Sequence, residues 1–348
     1  MGAGLSSSSA LVVGFAEAAI ALNGLNVTVR DFVDLCGEGE WFVGSRGGSA
    51  DHAAIRTGLA GHVTRIGFFP FSIEDSIPMP PGIEILIIDS KEKAVKSRGA
   101  PAREIYNQRV ATYKIAFQLL QQAWPPARGA MHFRDLVPDR LGVGISDLYQ
   151  ALARLPTRAS RREIGRLVDI KGSQELERVF ESHQNIGPYD LRGVALYGLG
   201  ECVRADQFAE CLKSDDLQAV RQLMQTSHDG DRLYSYRTDG TSRRYSVRTD
   251  DATLSQLANS NSDLSLQPGR YGCSTQKIDR IVDIVSATEG VVGAQLSGAG
   301  LGGCVMAMVH SGTKAVVVEK LEKAFSNHGR ETPAIYDCKP VAGAGLIQ

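Results

Sequence analysis

The chain opens on Met-Gly-Ala-Gly-Leu, continues through four serines, Ser6 to Ser9, and runs straight into an apolar segment from Leu11 to Leu22. That order constrains the fold more than any other feature. Gly2 and Gly4 allow close backbone approach and left-handed dihedrals. The apolar residues recur at helical spacing up to a stop at Asn23-Gly24. A loop that feeds a helix this way leaves unpaired amides at the helix N-terminus with the helix dipole behind them, which suits an anion. A serine hydroxyl there can reach a phosphate-bound magnesium ion. The same residues also permit a plain glycine turn followed by a serine-capped helix.

Two further segments carry chemistry. Glu38 and Glu40 precede the glycine-rich turn Gly44-Ser-Arg-Gly-Gly-Ser-Ala, which ends at Asp51. One carboxylate could hold magnesium while another takes a proton from a hydroxyl. Positioning and charge neutralisation are what phosphoryl transfer asks of a protein. Taken alone, the segment also reads as a helix start capped by Asp51. Near the other end, Gly298, Gly300, Gly302 and Gly303 lie between two strand-like runs. They form either a glycine-rich hairpin or a second loop that presses its backbone on phosphates or sugar. Competing motifs are absent: there is no GxxxxGK[ST], no strand leading into GxGxxG, and no GxSxG.

Composition narrows the class. With 348 residues, 43% hydrophobic, the chain can bury cores for two domains. Its 38 basic and 39 acidic residues give a net charge of −1, which argues against nucleic-acid or membrane-surface partners. No apolar run approaches the roughly 20 residues of a membrane span, and the start lacks signal-peptide character. The six cysteines lie far apart without a CxxC pair. They read as small buried hydrophobes in a reducing compartment, so a cytoplasmic protein is expected.

The pattern predicts helices at 11–22, from Asp31, after the glycine turn at 45–58, over 103–122, 193–212, 216–227, 278–287 and near 314–325. Strands are expected at "HVTRIGFF", "IEILIID", "VVGAQLSG", "GCVMAMV" and "PAIYDC". Trp124-Pro125-Pro126 breaks the long helix. Residues 125–190 read as short helical pieces, and 229–263 as a long polar loop. The whole suits an α+β protein with an antiparallel sheet.

At these residues the sequence resembles the GHMP kinases, and within them the galactokinases. "GAGLSSSSA" is similar to the family's central ATP-binding motif, and "FVGSRGGSADH" to a glycine turn leading to Met-Asp-Gln. "REIYNQRV" resembles a helix with a sugar-contacting tyrosine. "LMQTSHDG", "YGCSTQKIDRIV" and "LSGAGLGGCVMAMV" resemble the C-terminal motifs. The resemblance implies a two-domain GHMP kinase fold: an incomplete N-terminal domain of the ribosomal-protein-S5-like type over 1–125, a helical connection over 126–190, and a ferredoxin-like C-terminal sandwich over 191–348. It implies ATP and Mg2+ as cofactors and transfer of the ATP γ-phosphate to the anomeric hydroxyl of galactose or a relative. Gly2, Ala3, Gly4, Leu5, Ser6, Ser7 and Ser8 would hold ATP, and Ser8 and Glu40 the magnesium ion, with Glu38 as the alternative carboxylate. Asp51 would be the catalytic base. Gly48, Asp51, Tyr106, Gly298, Gly300 and Gly302 would bind the sugar. His52 and Ala50 stand where galactokinases carry glutamine and methionine, and the family's first motif belongs upstream of the glycine loop. The expectation is therefore a fragment of a sugar kinase; alternatives are a catalytically weak sugar and ATP sensor or another GHMP small-molecule kinase.

Overall fold

In the computed structural model, which describes residues 6–42, 48–68, 71–93, 100–168, 173–326 and 331–345, the apolar run after the serines forms helix α1 (Ser7–Asn23). Gly24 ends it in the left-handed conformation, φ 59°, and Leu25 N–H reaches back to the Ile20 carbonyl at 3.0 Å. Only glycine adopts that turn without strain. Helix α2 (Val29–Trp41) starts at Thr28, whose hydroxyl accepts the Asp31 amide at 3.1 Å. Helix α3 (Ala50–Thr57) follows. The three share a small core of Val13, Phe32, Val33, Cys36 and Ala53. Helix α1 is apolar around most of its circumference, so Leu11, Phe15 and Leu22 stay exposed while Val13 is buried.

Strands β1 (His62–Gly67) and β2 (Ser72–Pro78) pair as an antiparallel hairpin with an irregularity at Arg65/Ile66. Strand β3 (Ile83–Asp89) then leaves this hairpin. The long helix α4 (Pro101–Ala123) has proline in its first turn and ends at Trp124, before Pro125, where helical backbone is disfavoured. The connection holds 3-10 turns and the short helices α5 (Pro138–Leu141), α6 (Ile145–Ala153), α7 (Arg161–Leu167) and α8 (Ser173–Glu181). Asp190 caps α9 (Leu191–Lys213), and Asp216 caps α10 (Leu217–Asp231). The core built by α4, α6, α7 and α9 includes Ile115, Leu120, Leu136, Tyr149, Leu152, Ile164 and Leu199.

The polar stretch 229–263 differs from the loop expected there. It folds as a small hairpin, β4 (Tyr234–Tyr236) with β5 (Ser242–Arg244), and as helix α11 (Asp251–Asn259). Asp250 caps α11 by accepting the Thr253 amide at 2.9 Å. Leu254 and Ala258 bury one face of α11 against the helical core, which is enough to fold a segment of otherwise polar residues. Helix α12 (Gln276–Ser286), strands β6 (Val291–Leu296) and β7 (Cys304–His310), helix α13 (Lys314–Ser326) and strand β8 (Ala334–Cys338) complete the chain.

These strands form one antiparallel sheet in the order β6-β7-β3-β8. The portion 1–125 thus contributes a strand to the sheet of the portion 191–348. Leu86 pairs with Ala307 on one side and Asp337 on the other. On one face, Leu86, Ile88, Val305, Ala307 and Val309 pack on α12 and α13 through Ile278, Ile281, Val285, Leu321 and Phe325. On the other, Ile83, Val292 and Met308 pack on α9 and α10 through Leu212, Val220 and Met224. A strand buried on both faces reads as a continuous apolar run, as "IEILIID" does. No disulfide joins the six cysteines among the described residues. Cys36, Cys273 and Cys304 are buried as expected, whereas Cys338 lies exposed on the edge strand β8, where nothing covers it.

Candidate functional site

The first half of the site is the junction of α1, α2 and α3. Gly37 lets α2 approach the start of α3: a Cβ there would meet the Ser49 Cβ at 2.7 Å. The approach brings the end of α2 to the start of α1, where Ser9 Oγ donates to Glu40 Oε1 at 3.1 Å. His52 Nε2 lies 3.7 Å from the same carboxylate oxygen. His52 is fully buried, and among the described residues neither ring nitrogen has a hydrogen-bond partner. Burial lowers its pKa, opposed by the charges of Glu40 and Asp51, so the imidazole is held toward its neutral form. Asp51 is exposed in the first turn of α3, where a carboxylate is favoured by the helix dipole. The cap position belongs to Ser49, which makes no side-chain capping bond.

What fixes α3 arrives from both ends of the chain. Arg56 pairs with Glu17 of α1 at 2.5 Å, stacks over Phe32 and donates to the Ala344 carbonyl at 3.2 Å. The C-terminal segment bonds back to the helix end: Ala344 N–H to Ile55 O at 2.6 Å, and Gly343 N–H to Gly58 O at 2.7 Å. A Cβ on Gly343 would meet the Arg56 carbonyl at 2.4 Å.

Helix α4 carries the second half. Its buried polar side chains Glu104, Asn107 and Gln108 hold the segment 182–187 of the helical connection, accepting from Gln184 N–H and donating to Ser182 and Gly187 carbonyls. Arg109, turned away from that loop, donates to the Tyr271 carbonyl at 2.5 Å. Tyr106 is half-buried between the two parts. Burial raises its phenol pKa first, and then Cys273 and the charge of Asp51 raise it further.

The glycine loop between β6 and β7 leans on that same segment. Gly298, Gly300, Gly302 and Gly303 all have positive φ. Leu301 N–H donates to the Cys273 carbonyl at 2.6 Å, and Gly303 N–H to the Glu92 carbonyl at 2.7 Å. At Gly300, φ +73°, a Cβ would stand 2.1 Å from the Cys273 oxygen, so only glycine fits.

Arg109 of α4, the 271–275 segment and the glycine loop are thus linked by hydrogen bonds. Among the other sequence-predicted residues, Gly2, Ala3, Gly4 and Leu5 lie outside the described residues. Ser6 begins α1 in a left-handed conformation, φ 51°; Ser7 and Ser8 are exposed on its first turn, and the serine bonded to Glu40 is Ser9. Glu38 is exposed, and Gly48 stands in open space just before α3. Sequence reasoning missed Ser9, Arg109 and Cys273, whose partners are remote in the chain. A cavity of about 910 Å³, lined among others by Arg65, Tyr113, Phe117 and Phe133, lies elsewhere and contains none of the predicted site residues. Among the described residues no three His, Cys, Asp or Glu side chains cluster as a metal cage, and no helix is long and apolar enough to cross a membrane.

A helix start bonded to a carboxylate, as Ser9 of α1 is to Glu40, suits the handling of phosphate and its counter-ion. Comparison with known proteins makes this specific. The family model described as "GHMP kinases N terminal domain" matches residues 1–58, and "GHMP kinases C terminal" matches residues 242–327. The chain is 26% identical over 347 residues to a galactokinase of Roseiflexus sp., covering 99% of this chain and 67% of that protein. It is 26% identical to a galactokinase of Streptomyces coelicolor, again covering 67% of it, and 25% identical to one of Chloroflexus aurantiacus, covering 58%. The crystal structure of Lactococcus lactis galactokinase complexed with galactose shares the fold, with a TM-score of 0.63, 18% identity and coverage of 99% of this chain and 67% of that one. The chain therefore spans about three-fifths to two-thirds of the length of these relatives. These matches support a GHMP kinase of galactokinase-like type.

Proposed function

We propose that this chain carries out, or forms the greater part of an enzyme that carries out, transfer of the ATP γ-phosphate to the anomeric hydroxyl of galactose or a closely related sugar. The observation that supports the reading is the Gly298–Gly303 loop seated on the 271–275 segment, which Arg109 of α4 holds, with Asp51 exposed at the start of α3. Asp51 is the base: it is exposed, and the neutral imidazole beside it places no cation to compete for its charge. Tyr106 and Gly48 contact the sugar, while Gly298, Gly300 and Gly302 close the far side against water. Gly2, Ala3, Gly4, Leu5, Ser6 and Ser7, with the amides at the start of α1, orient the phosphates.

The donors available for a magnesium ion fit a hard cation. The Glu40 carboxylate stands at the mouth of α1, already bonded to a hydroxyl, with Ser8 on the same turn, and phosphate oxygens complete such a shell. When bound, the ion neutralises phosphate charge. The named relatives support galactose as the acceptor. The test is phosphoryl transfer from ATP against a panel of free sugars. Transfer to a galactose-type sugar is the expected result. ATP binding without transfer to any sugar would replace this reading with that of a sugar and nucleotide sensor.

A further inference from the structure

Asp231, the last residue of α10, has no part in the chemistry above, yet it binds the segment on which the glycine loop rests. The residue is 8% exposed. Cys273 N–H donates to its Oδ1 at 3.2 Å and the Tyr197 hydroxyl to its Oδ2 at 3.1 Å. Its backbone carbonyl accepts Ser274 N–H at 3.0 Å, and the preceding Gly230 carbonyl accepts both Tyr271 and Gly272 amides. A Cβ on Gly230 would meet the Tyr197 ring at 2.3 Å, so the turn of helix is pressed on α9 and cannot shift. The segment 271–275 is therefore hung from Asp231. That segment supports the glycine loop through the Cys273 carbonyl and influences the Tyr106 phenol.

We propose that Asp231 is a positioning residue for the phosphoryl-transfer site: its carboxylate, held between Cys273 and Tyr197, sets how closely the 271–275 segment supports the Gly298–Gly303 loop. The assignment rests on the sugar-kinase reading for its functional meaning but not for its geometry. A charged acceptor grips an amide more strongly than a neutral one, but burying that charge costs more than the bond returns, so the support loosens when Asp231 ionises. Burial raises the Asp231 pKa to about 7, helped by the carboxylates of Glu201 on α9 and Asp279 on α12 and opposed by the Cys273 and Tyr197 bonds. The other titratable groups facing it are Tyr113 of α4 and Tyr271. His228, on its own helix, is turned to Asp279. The arrangement is thus firmest with Asp231 protonated and loosens as pH rises through about 7.

Amide hydrogen exchange of the intact protein, corrected for intrinsic rates, reads this without any turnover. Protection of Cys273 and Leu301 should fall about tenfold or more as pH increases through about 7, because a carboxylate of raised pKa stabilises its closed surroundings below its unfolded value and loses that stability as pH rises through 7. In Asp231→Asn, which stays neutral, it should stay at the low-pH level throughout. Protection that rises with pH, or that keeps its step in D231N, overturns the proposal. Should D231N fail to fold, Tyr197→Phe serves instead: it removes a bond that lowers the Asp231 pKa, so the midpoint must move up, and an unmoved midpoint overturns the proposal. Absence of phosphoryl transfer with the step present would refute the kinase reading and leave the positioning role standing.

Discussion

At the scale of the residue, the exposed carboxylate of Asp51 and the buried histidines have separable duties. Asp51 is exposed and makes few fold contacts, so Asp51→Asn should leave the melting temperature unchanged while lowering phosphoryl transfer by roughly 10² to 10⁴, the usual worth of a general base. Parallel thermal melts and steady-state rates check this; undiminished transfer removes Asp51 from the chemistry. Buried histidines set the acid limit of the fold. Burial lowers the His183 pKa to about 4, and His52 is lowered for the same reason. A histidine depressed in the native state takes up its proton first in the unfolded state, so its stabilising contribution is complete above pH 6.5 and is lost as pH falls toward 4. For His183 that loss is of the order of 3 kcal/mol. Urea titrations at pH 7 and pH 4.5 should show it, and His183→Gln should flatten the difference even though it forfeits the bond to Tyr189. The sequence displayed Asp51 because a carboxylate after a glycine turn is a local pattern. It did not display Ser9, since which of four adjacent serines meets Glu40 depends on how α2 crosses α1.

Among elements, the β6–β7 turn has the narrowest tolerance. Gly300→Ala puts a methyl group against the Cys273 carbonyl and forces an L-residue to φ +73°. The combined strain should exceed about 2 kcal/mol, and the loop should leave the 271–275 segment instead of absorbing it. Sugar binding measured by calorimetry should weaken at least tenfold while helix content stays constant; unchanged binding would show that the loop does not form the sugar wall. Elements with a complete local signature were legible: α1 from its apolar run and Asn-Gly stop, α4 from its period and Trp-Pro-Pro break, and both strands of this hairpin. Helix α11 was hidden, because a cap at Asp250 and two buried positions, Leu254 and Ala258, are all that distinguish it from the polar loop around it. The apolar run of β3 was legible as a strand, but its seat between β7 and β8 was not, since pairing Leu86 with Ala307 spans more than half the chain.

For the whole molecule, that seat decides how the chain should come apart. The sheet and its helices share large cores on both faces through Leu86, Ile88 and Met308, whereas α1, α2 and α3 enclose only Val13, Phe32, Val33, Cys36 and Ala53. The two parts are joined by β3 and by the C-terminal segment bonded to Ile55 and Gly58. Each buried aliphatic side chain contributes about 1.5–3 kcal/mol, so the smaller core should open at lower denaturant as a separate unit. The two tryptophans report the two parts independently: Trp41 on α2 and Trp124 at the end of α4, which is buried in the helical core. In single-tryptophan variants the Trp41 signal should change first in urea. Leu86→Ala, which empties a fully buried position beneath α12 and α13, should cost about 2–5 kcal/mol in the Trp124 transition and leave the Trp41 midpoint in place. Coincident transitions that shift together would mean instead that the six residues after Lys339 bind α3 tightly enough to fuse both cores, and that the helix bearing Asp51 is as stable as the sheet beneath it.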